Sequence, residues 1–212
     1  MDWVTISALA TAGGTLVLAA ATFASVRSAN RAARVAERAL MAGLRPLLVN
    51  SREEDPQLKV GFADQHWVRV GGGRGTAEVT DEVLYLTMSV RNVGTGVAVL
   101  HGWLPHPNRR AGDQVERPRL EQFHRLTRDI YVPAGDIGFW QGALRDPSTD
   151  EFATVTQAVR DRQPVMVDLL YGDQEGGQRV ISRFGLLPRQ AEDGDWFATV
   201  ARHWNVDRPD PR

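Results

Sequence analysis

The stretch Val83–Val99, VLYLTMSVRNVGTGVAV, decides how the larger part of this 212-residue chain is read. Its first half alternates, with Leu84, Leu86, Met88 and Val90 pointing one way and Tyr85, Thr87 and Ser89 the other, which is the period of a β-strand. Its second half is a turn that opens another strand: Asn92 can bond local backbone, Gly94 and Gly96 permit positive φ, and Ala98 is small enough for close sheet packing. Outward from this stretch, short apolar runs recur at RPLLVN, HWVRV, GVAVLHGWL, DIYV, PVMVDLLY, QRVISRFGLL and DWFATVARHW, separated by turn-rich segments. Strands in this number, without alternating helices, predict a mainly β unit over residues 46–212, an antiparallel β-sandwich. One helix is inserted. In PSTDEFATVTQAVRDRQP, Ser148 stands three residues before Glu151 in the capping-box arrangement, Phe152, Val155 and Val159 form an apolar face, and Pro164 ends the run.

Residues 1–45 follow a different rule. From Trp3 to Val26 no residue is charged, and as a helix this run would extend roughly 36 Å, enough to cross a hydrocarbon core of about 30 Å. Leu16, Val17, Leu18, Phe23 and Val26 supply its apolar weight, and Trp3 suits an interfacial anchor. The chain's lone lysine is Lys59, so its positive charge is almost entirely arginine, and five arginines follow the apolar run against only Asp2 and Glu37 in the same 45 residues. A secretory signal would carry positive charge before the apolar core, whereas here it comes after, so the positive-inside rule predicts an outside N-terminus and a cytoplasmic β unit at a bacterial inner membrane. Arg27, Arg31, Arg34, Arg38 and Arg45 fall within about 40° of one direction on a helical wheel, with Arg27 and Arg31 near enough to the boundary to meet lipid headgroups. Opposite them, Ala29, Ala33, Ala36, Leu40 and Gly43 form a heptad seam of small residues that would suit a homodimer. Ala10 with Gly14, or Gly13, Val17 and Ala21, would let two spans approach closely. Pro46 disfavours helix at Arg45, so the helix should stop near Gly43. The basic stripe has no interleaved aromatic and the remainder of the chain is acidic, so a nucleic-acid partner is not expected.

RNVGTGVAV, Arg91–Val99, and DIYVPAGD, Asp129–Asp136, resemble the strand-ending N-x-G-x-G and Pro-x-Gly turns of bacterial CARDB-type, immunoglobulin-like modules. With the apolar start, the Arg/Ala helix, RPLLV, YGDQEGGQRVISRF and RHWNVD, the chain is similar to a group of single-pass bacterial membrane proteins. The resemblance implies an immunoglobulin-like fold and carries neither substrate nor catalytic residue. The inserted helix and the long segment between Pro105 and Thr127 depart from a minimal sandwich.

Few motifs invite chemistry. GGGRGT, Gly71–Thr76, lacks the lysine of a phosphate loop and reads as a hairpin loop between strands. HGWLPHPN groups His101, Trp103, His106 and Asn108, but zinc needs at least three protein ligands and His66, His124 and His203 lie far off in sequence, so neither metal nor cofactor is expected. Asp168, Asp173 and Glu175 flank Tyr171 in YGDQEGG, which reads as a turn and not a calcium loop. Trp196, Ala198, Val200 and Trp204 alternate onto one strand face, with Phe197 and His203 on the other. Cysteine is absent, which removes disulfides and thiolate chemistry. The chain is therefore expected to be a membrane-anchored, non-enzymatic binding or scaffold module with an as yet unspecified protein partner. The competing expectations are a tethered hydrolase using His101, His106 and a carboxylate, and a soluble nucleic-acid binder.

Overall fold

The computed structural model describes residues 2–107, 116–189 and 196–210. It divides into two compact units, Met1–Gly43 and Leu44–Arg212, with the break two residues before the expected boundary.

The first unit is one helix, α1, Trp3–Gly43, running unbroken from the apolar run through the basic stretch. Within Ile6–Met41 an 18-residue window reaches a mean hydropathy of 1.7, and none of it is buried in protein. One helix near the N-terminus is therefore long and apolar enough to span a membrane. Its large apolar side chains are exposed, among them Trp3, Leu16, Val17, Leu18, Phe23 and Val26. Four hydroxyls of this segment, those of Ser7, Thr11, Thr15 and Thr22, bond the preceding turn of the helix. Thr11 donates to the Ser7 carbonyl (2.9 Å), Thr15 to Thr11 (2.9 Å) and Thr22 to Leu18 (2.8 Å), so these hydroxyls are satisfied within the helix. It stops at Gly43, as Pro46 requires. Arg27, Arg31, Arg34 and Arg38 lie on α1, with Ala29, Ala33, Ala36 and Leu40 on the opposite side of the wheel. Arg45 does not belong to the stripe: it lies past the helix end and donates to Asn205 Oδ1 in the second unit.

The second unit is mainly β. Its strands are β1 Leu48–Asn50, β2 Leu58–Gly61, β3 Trp67–Val70, β4 Arg74–Val79, β5 Leu84–Asn92, β6 Ala98–Pro107, β7 His124–Val132, β8 Ile137–Leu144, β9 Val165–Gly172, β10 Arg179–Pro188 and β11 Trp196–Asn205. Helix α2, Asp150–Arg160, lies between β8 and β9. Nine strands form one antiparallel sheet in the order β1-β5-β4-β11-β10-β9-β6-β7, with β8 also paired to β5; β2 and β3 form a separate hairpin. The sheet curls, since β7 and β8 come from its two ends yet meet: Trp103 on β6 lies 5.4 Å from Trp140 on β8, and Arg128 on β7 donates to Gln141 Oε1 on β8 at 2.9 Å. The described strands thus form one continuous curled antiparallel sheet with a covering hairpin.

β5 is the reason. It pairs with β8 over Leu84–Arg91, with β4 over Leu84–Met88 and with β1 over Val90–Asn92. Leu84, Leu86, Met88 and Val90 enter the main core as the alternation predicts, but the other face is buried too. There Tyr85 packs with Val60, Phe62, Val68 and Val70 of the hairpin, and Ser89 Oγ meets Ser51 Oγ at 2.7 Å. Each fully buried aliphatic or aromatic side chain contributes about 1.5–3 kcal/mol, so a strand buried on both faces anchors the fold.

Two local expectations shift. Thr149, not Ser148, caps α2, accepting from Phe152 N at 3.2 Å, while Ser148 Oγ bonds Asp146 and Glu151 turns to His124. In GGGRGT only the glycines form the turn, with Gly73 at φ 66°, and Arg74 already begins β4.

The N-x-G-x-G turn is built differently from a positive-φ turn. Neither Gly94 nor Gly96 has positive φ; each is glycine because a Cβ would collide with the chain where it enters the unit, at the Leu44 carbonyl for Gly96 and at the Arg45–Leu47 backbone for Gly94. Asn92 is fully buried and uses its whole amide: Nδ2 donates to Gly96 O (2.7 Å) and Val132 O (3.0 Å), and Oδ1 accepts from Leu47 N (3.1 Å) and Gly94 N (3.0 Å). Its backbone pairs with the β7–β8 turn at Gly135 and Asp136. Asn92→Ala leaves four backbone groups without this partner, two of them buried, and is expected to destabilise the unit by about 3 kcal/mol. Gly96→Ala should cost about 3 kcal/mol or more, since the collision is with backbone. Urea denaturation of the full-length protein in detergent checks both, as lowered midpoints.

Candidate functional site

The histidines are dispersed. His106 Nε2 meets Asp168 Oδ2 at 2.6 Å, and Asp168, fully buried, also accepts from Arg183 Nε and Nη2, both at 2.7 Å. Burial pushes the Asp168 carboxyl up, but the hydrogen bonds from Arg183 and His106 outweigh it and hold it below the usual carboxylate range. His101 is the extra residue of a β-bulge, where β6 slips register against both β7 and β9. It lines a cavity of about 380 Å³ with Phe123, Asp129 and Arg179, and burial lowers its pKa. His66 pairs with Glu78 (2.8 Å), His124 with Glu151 (2.7 Å), and His203 Nδ1 with Ser182 Oγ (2.6 Å). His101 and His106 thus have separate surroundings, and among the described residues no three acidic or histidine side chains cluster to hold a metal. Asn108 lies outside the described residues, as does part of the long segment after Pro105. YGDQEGG forms a turn in which Asp173 Oδ1 accepts from Gly177 N at 2.8 Å.

The aromatic alternation of β11 holds only part of the way. Trp196, Ala198 and Val200 face the core, but register slips after Val200, where Arg202 pairs with Arg183 and Val200 with Phe184. That bulge at Ala201 turns Trp204 onto the outer face, opposite Ile181. There it meets two guanidinium groups, Arg183 at 4.9 Å and Arg202 at 5.5 Å from its ring centroid. Arg202, Arg183 and Asp168 form a cross-strand row over β11, β10 and β9. Arg183 is neutralised by Asp168, whereas Arg202 has no carboxylate partner among the described residues.

Beyond Trp204 opens a cavity of about 710 Å³. Its basic residues come from four segments: Arg45, Arg117, Arg202 and Arg208, with His203 beside them and Asp210 as the acidic lining residue. Asn205 forms the floor. Its Oδ1 accepts from Arg45, its carbonyl from Arg117 Nη1 (3.0 Å), its N–H donates to Asp210 Oδ1 (2.6 Å) and its Nδ2 to Pro209 O (3.0 Å). Two guanidinium groups and the C-terminal segment are thereby ordered by the main chain and side chain of one residue. Neighbouring Asp207 is committed elsewhere. Partial burial raises its pKa, but the Arg179 hydrogen bonds and the fields of Arg179 and Arg117 prevail and lower it. Of these residues sequence reading singled out Arg45 and His203 in other roles; Arg117, Arg202 and Arg208 show no spacing signal.

His203 links the cavity to the core. Ser182 Oγ, which meets His203, also meets Tyr171 Oη at 2.8 Å, and Tyr171 Oη accepts from Leu48 N at 3.0 Å. Burial pushes the Tyr171 phenol up to about 12. Ser182 is fully buried, so this relay orders the sheet and presents no accessible nucleophile.

Compared with known proteins, the chain matches no family model, no curated protein and no solved structure.

Asp168→Asn would leave Arg183 buried without its counter-charge and is expected to cost about 3–5 kcal/mol at pH 7. Because the folded-state pKa is depressed, this stabilisation is present above about pH 4 and fades as the wild-type carboxylate protonates below it. Wild type and variant should converge in thermal midpoint as the pH falls, which melting curves over a pH series will show.

Proposed function

We propose that this is a single-pass membrane protein of a bacterial inner membrane, in which α1 anchors a non-enzymatic binding module in the cytoplasm and leaves the N-terminus outside. The observation that carries the reading is α1 itself: an exposed apolar run with self-satisfied hydroxyls, followed directly by arginines along one side. Arg27 and Arg31 meet anionic headgroups in this reading, and the seam of Ala29, Ala33, Ala36, Leu40 and Gly43 pairs two copies. The β unit is read as an immunoglobulin-like module whose two sheets have merged into one curled sheet. Its surface supplies recognition of a protein or small ligand. The hydrolase alternative draws no support from the geometry, since His101 and His106 lie in separate surroundings and the Asp168 carboxylate is consumed by Arg183. Nucleic acid is not the reading for the helical stripe, which has no aromatic among its arginines.

Full-length protein should remain in the membrane pellet after alkaline carbonate extraction and leave it only with detergent. Protease added outside spheroplasts should spare the β unit. Recovery in the soluble fraction removes the anchor, and digestion from outside reverses the orientation. Val17→Arg places a charge in the span at a cost of about 3 kcal/mol and should lower the membrane-inserted fraction.

A further inference from the structure

We infer that the cavity floored by Asn205 is a binding site for a phosphate-bearing anion, an assignment that rests on the reading of the β unit as a binding module. Four guanidinium groups, from Arg45, Arg117, Arg202 and Arg208, line one space with a single carboxylate, Asp210. That carboxylate is already engaged by the Asn205 N–H at 2.6 Å. Neither Arg202 nor Arg208 has a carboxylate partner among the described residues. Cations gathered in this way repel one another, and a multiply charged anion relieves the repulsion while taking their remaining N–H donors.

Three of the four donors are held in place before any ligand arrives. Arg45 and Arg117 each give one bond to Asn205, which leaves further N–H groups of their forks available, and Arg202 is steadied against the buried Trp204 ring. Pre-ordered donors spare a ligand the entropy of gathering three flexible side chains, which leaves Arg208 to close on it. Guanidinium is also the group suited to bidentate contact with phosphate oxygens. Two phosphates match the net charge of this lining better than one carboxylate does, and a volume of about 710 Å³ leaves room for an organic group attached to them. The same charge pattern does not recur elsewhere among the cavities described. At the β7–β8 seam, where the space is about 170 Å³, Arg145 is paired with Asp64 and Arg128 is taken up by Gln141 and the Gly61 carbonyl.

Both soluble phosphates and lipid phosphomonoesters carry this chemistry, and the experiment separates them. Full-length protein in phosphatidylcholine nanodiscs is titrated with inorganic pyrophosphate by calorimetry. Saturable binding is expected, weakened about ten-fold by Arg202→Gln and about ten-fold by Arg208→Gln, and less by Arg202→Lys, which keeps the charge and loses the fork. Arg160→Gln, on the exposed side of α2, should bind as wild type does. Arg202 and Arg208 are chosen because neither bonds Asn205, so unchanged thermal midpoints will show that the floor is intact. Replacing part of the phosphatidylcholine by phosphatidic acid, against charge-matched phosphatidylserine, tests the lipid source. A selective loss of pyrophosphate affinity with phosphatidic acid means that the headgroup occupies the cavity; equal affinity in the two lipids means a soluble ligand. No saturable binding of pyrophosphate and no phosphatidic acid effect, or binding indifferent to Arg202→Gln and Arg208→Gln, overturns the assignment. Should that occur while the protein still sediments with membranes, the site fails and the anchor stands; a soluble protein that binds pyrophosphate leaves the site and removes the anchor.

Discussion

The side-chain amide of Asn92 is the interaction on which the β unit depends. It is buried, so each of its hydrogen-bonding positions must be filled from within the protein, and the groups that fill them come from the incoming chain, the following turn and the end of β7. One residue thereby fixes where the chain enters, how β5 turns into β6, and how close the far end of the sheet returns. The curl follows from this. A sheet whose first and last strands are tied near a common point cannot lie open, and the hairpin β2–β3 then covers the face of β5 that the curl leaves outside. Placement of Arg45 follows as well, since its carbonyl accepts from Thr95 N at 3.0 Å in the same turn while its guanidinium reaches Asn205.

The outer face of β9, β10 and β11 sorts its charges in two ways. Arg183 and Arg202 are cross-strand neighbours of like charge, an arrangement that is destabilising by itself. Asp168 cancels the first, the Trp204 ring is shared between both, and the second is left facing a cavity already rich in arginine. A neutralised and an unneutralised guanidinium are thus set on adjacent strands, with an indole between them.

Much of this architecture is visible in the residues. The charge-free run from Trp3 and the arginines after it announce α1, and the alternation in VLYLTMSV announces β5 with its inward residues correct. Other parts are not. β8, IGFWQGAL, is interrupted by glycines and has no clean period, because Gly142 lies where a Cβ would strike the Trp140 and Trp103 rings. The continuous sheet is hidden because pairing of β5 with three strands leaves no mark on its own sequence. Trp204 is misplaced by alternation since a bulge at Ala201 shifts the period by one, and nothing in ATVARHW marks the slip. The arginine cavity draws on positions 45, 117, 202 and 208, which only the fold brings together.

Lys59 sits on the β2–β3 hairpin with its ammonium 4.5 Å from the exposed ring of Trp67. As every other basic side chain is arginine or histidine, this is the one side-chain amine in the sequence. Acyl transfer to a lysine side chain therefore has a single address in this sequence. It falls on the small separate hairpin and leaves the guanidinium-lined cavity chemically untouched.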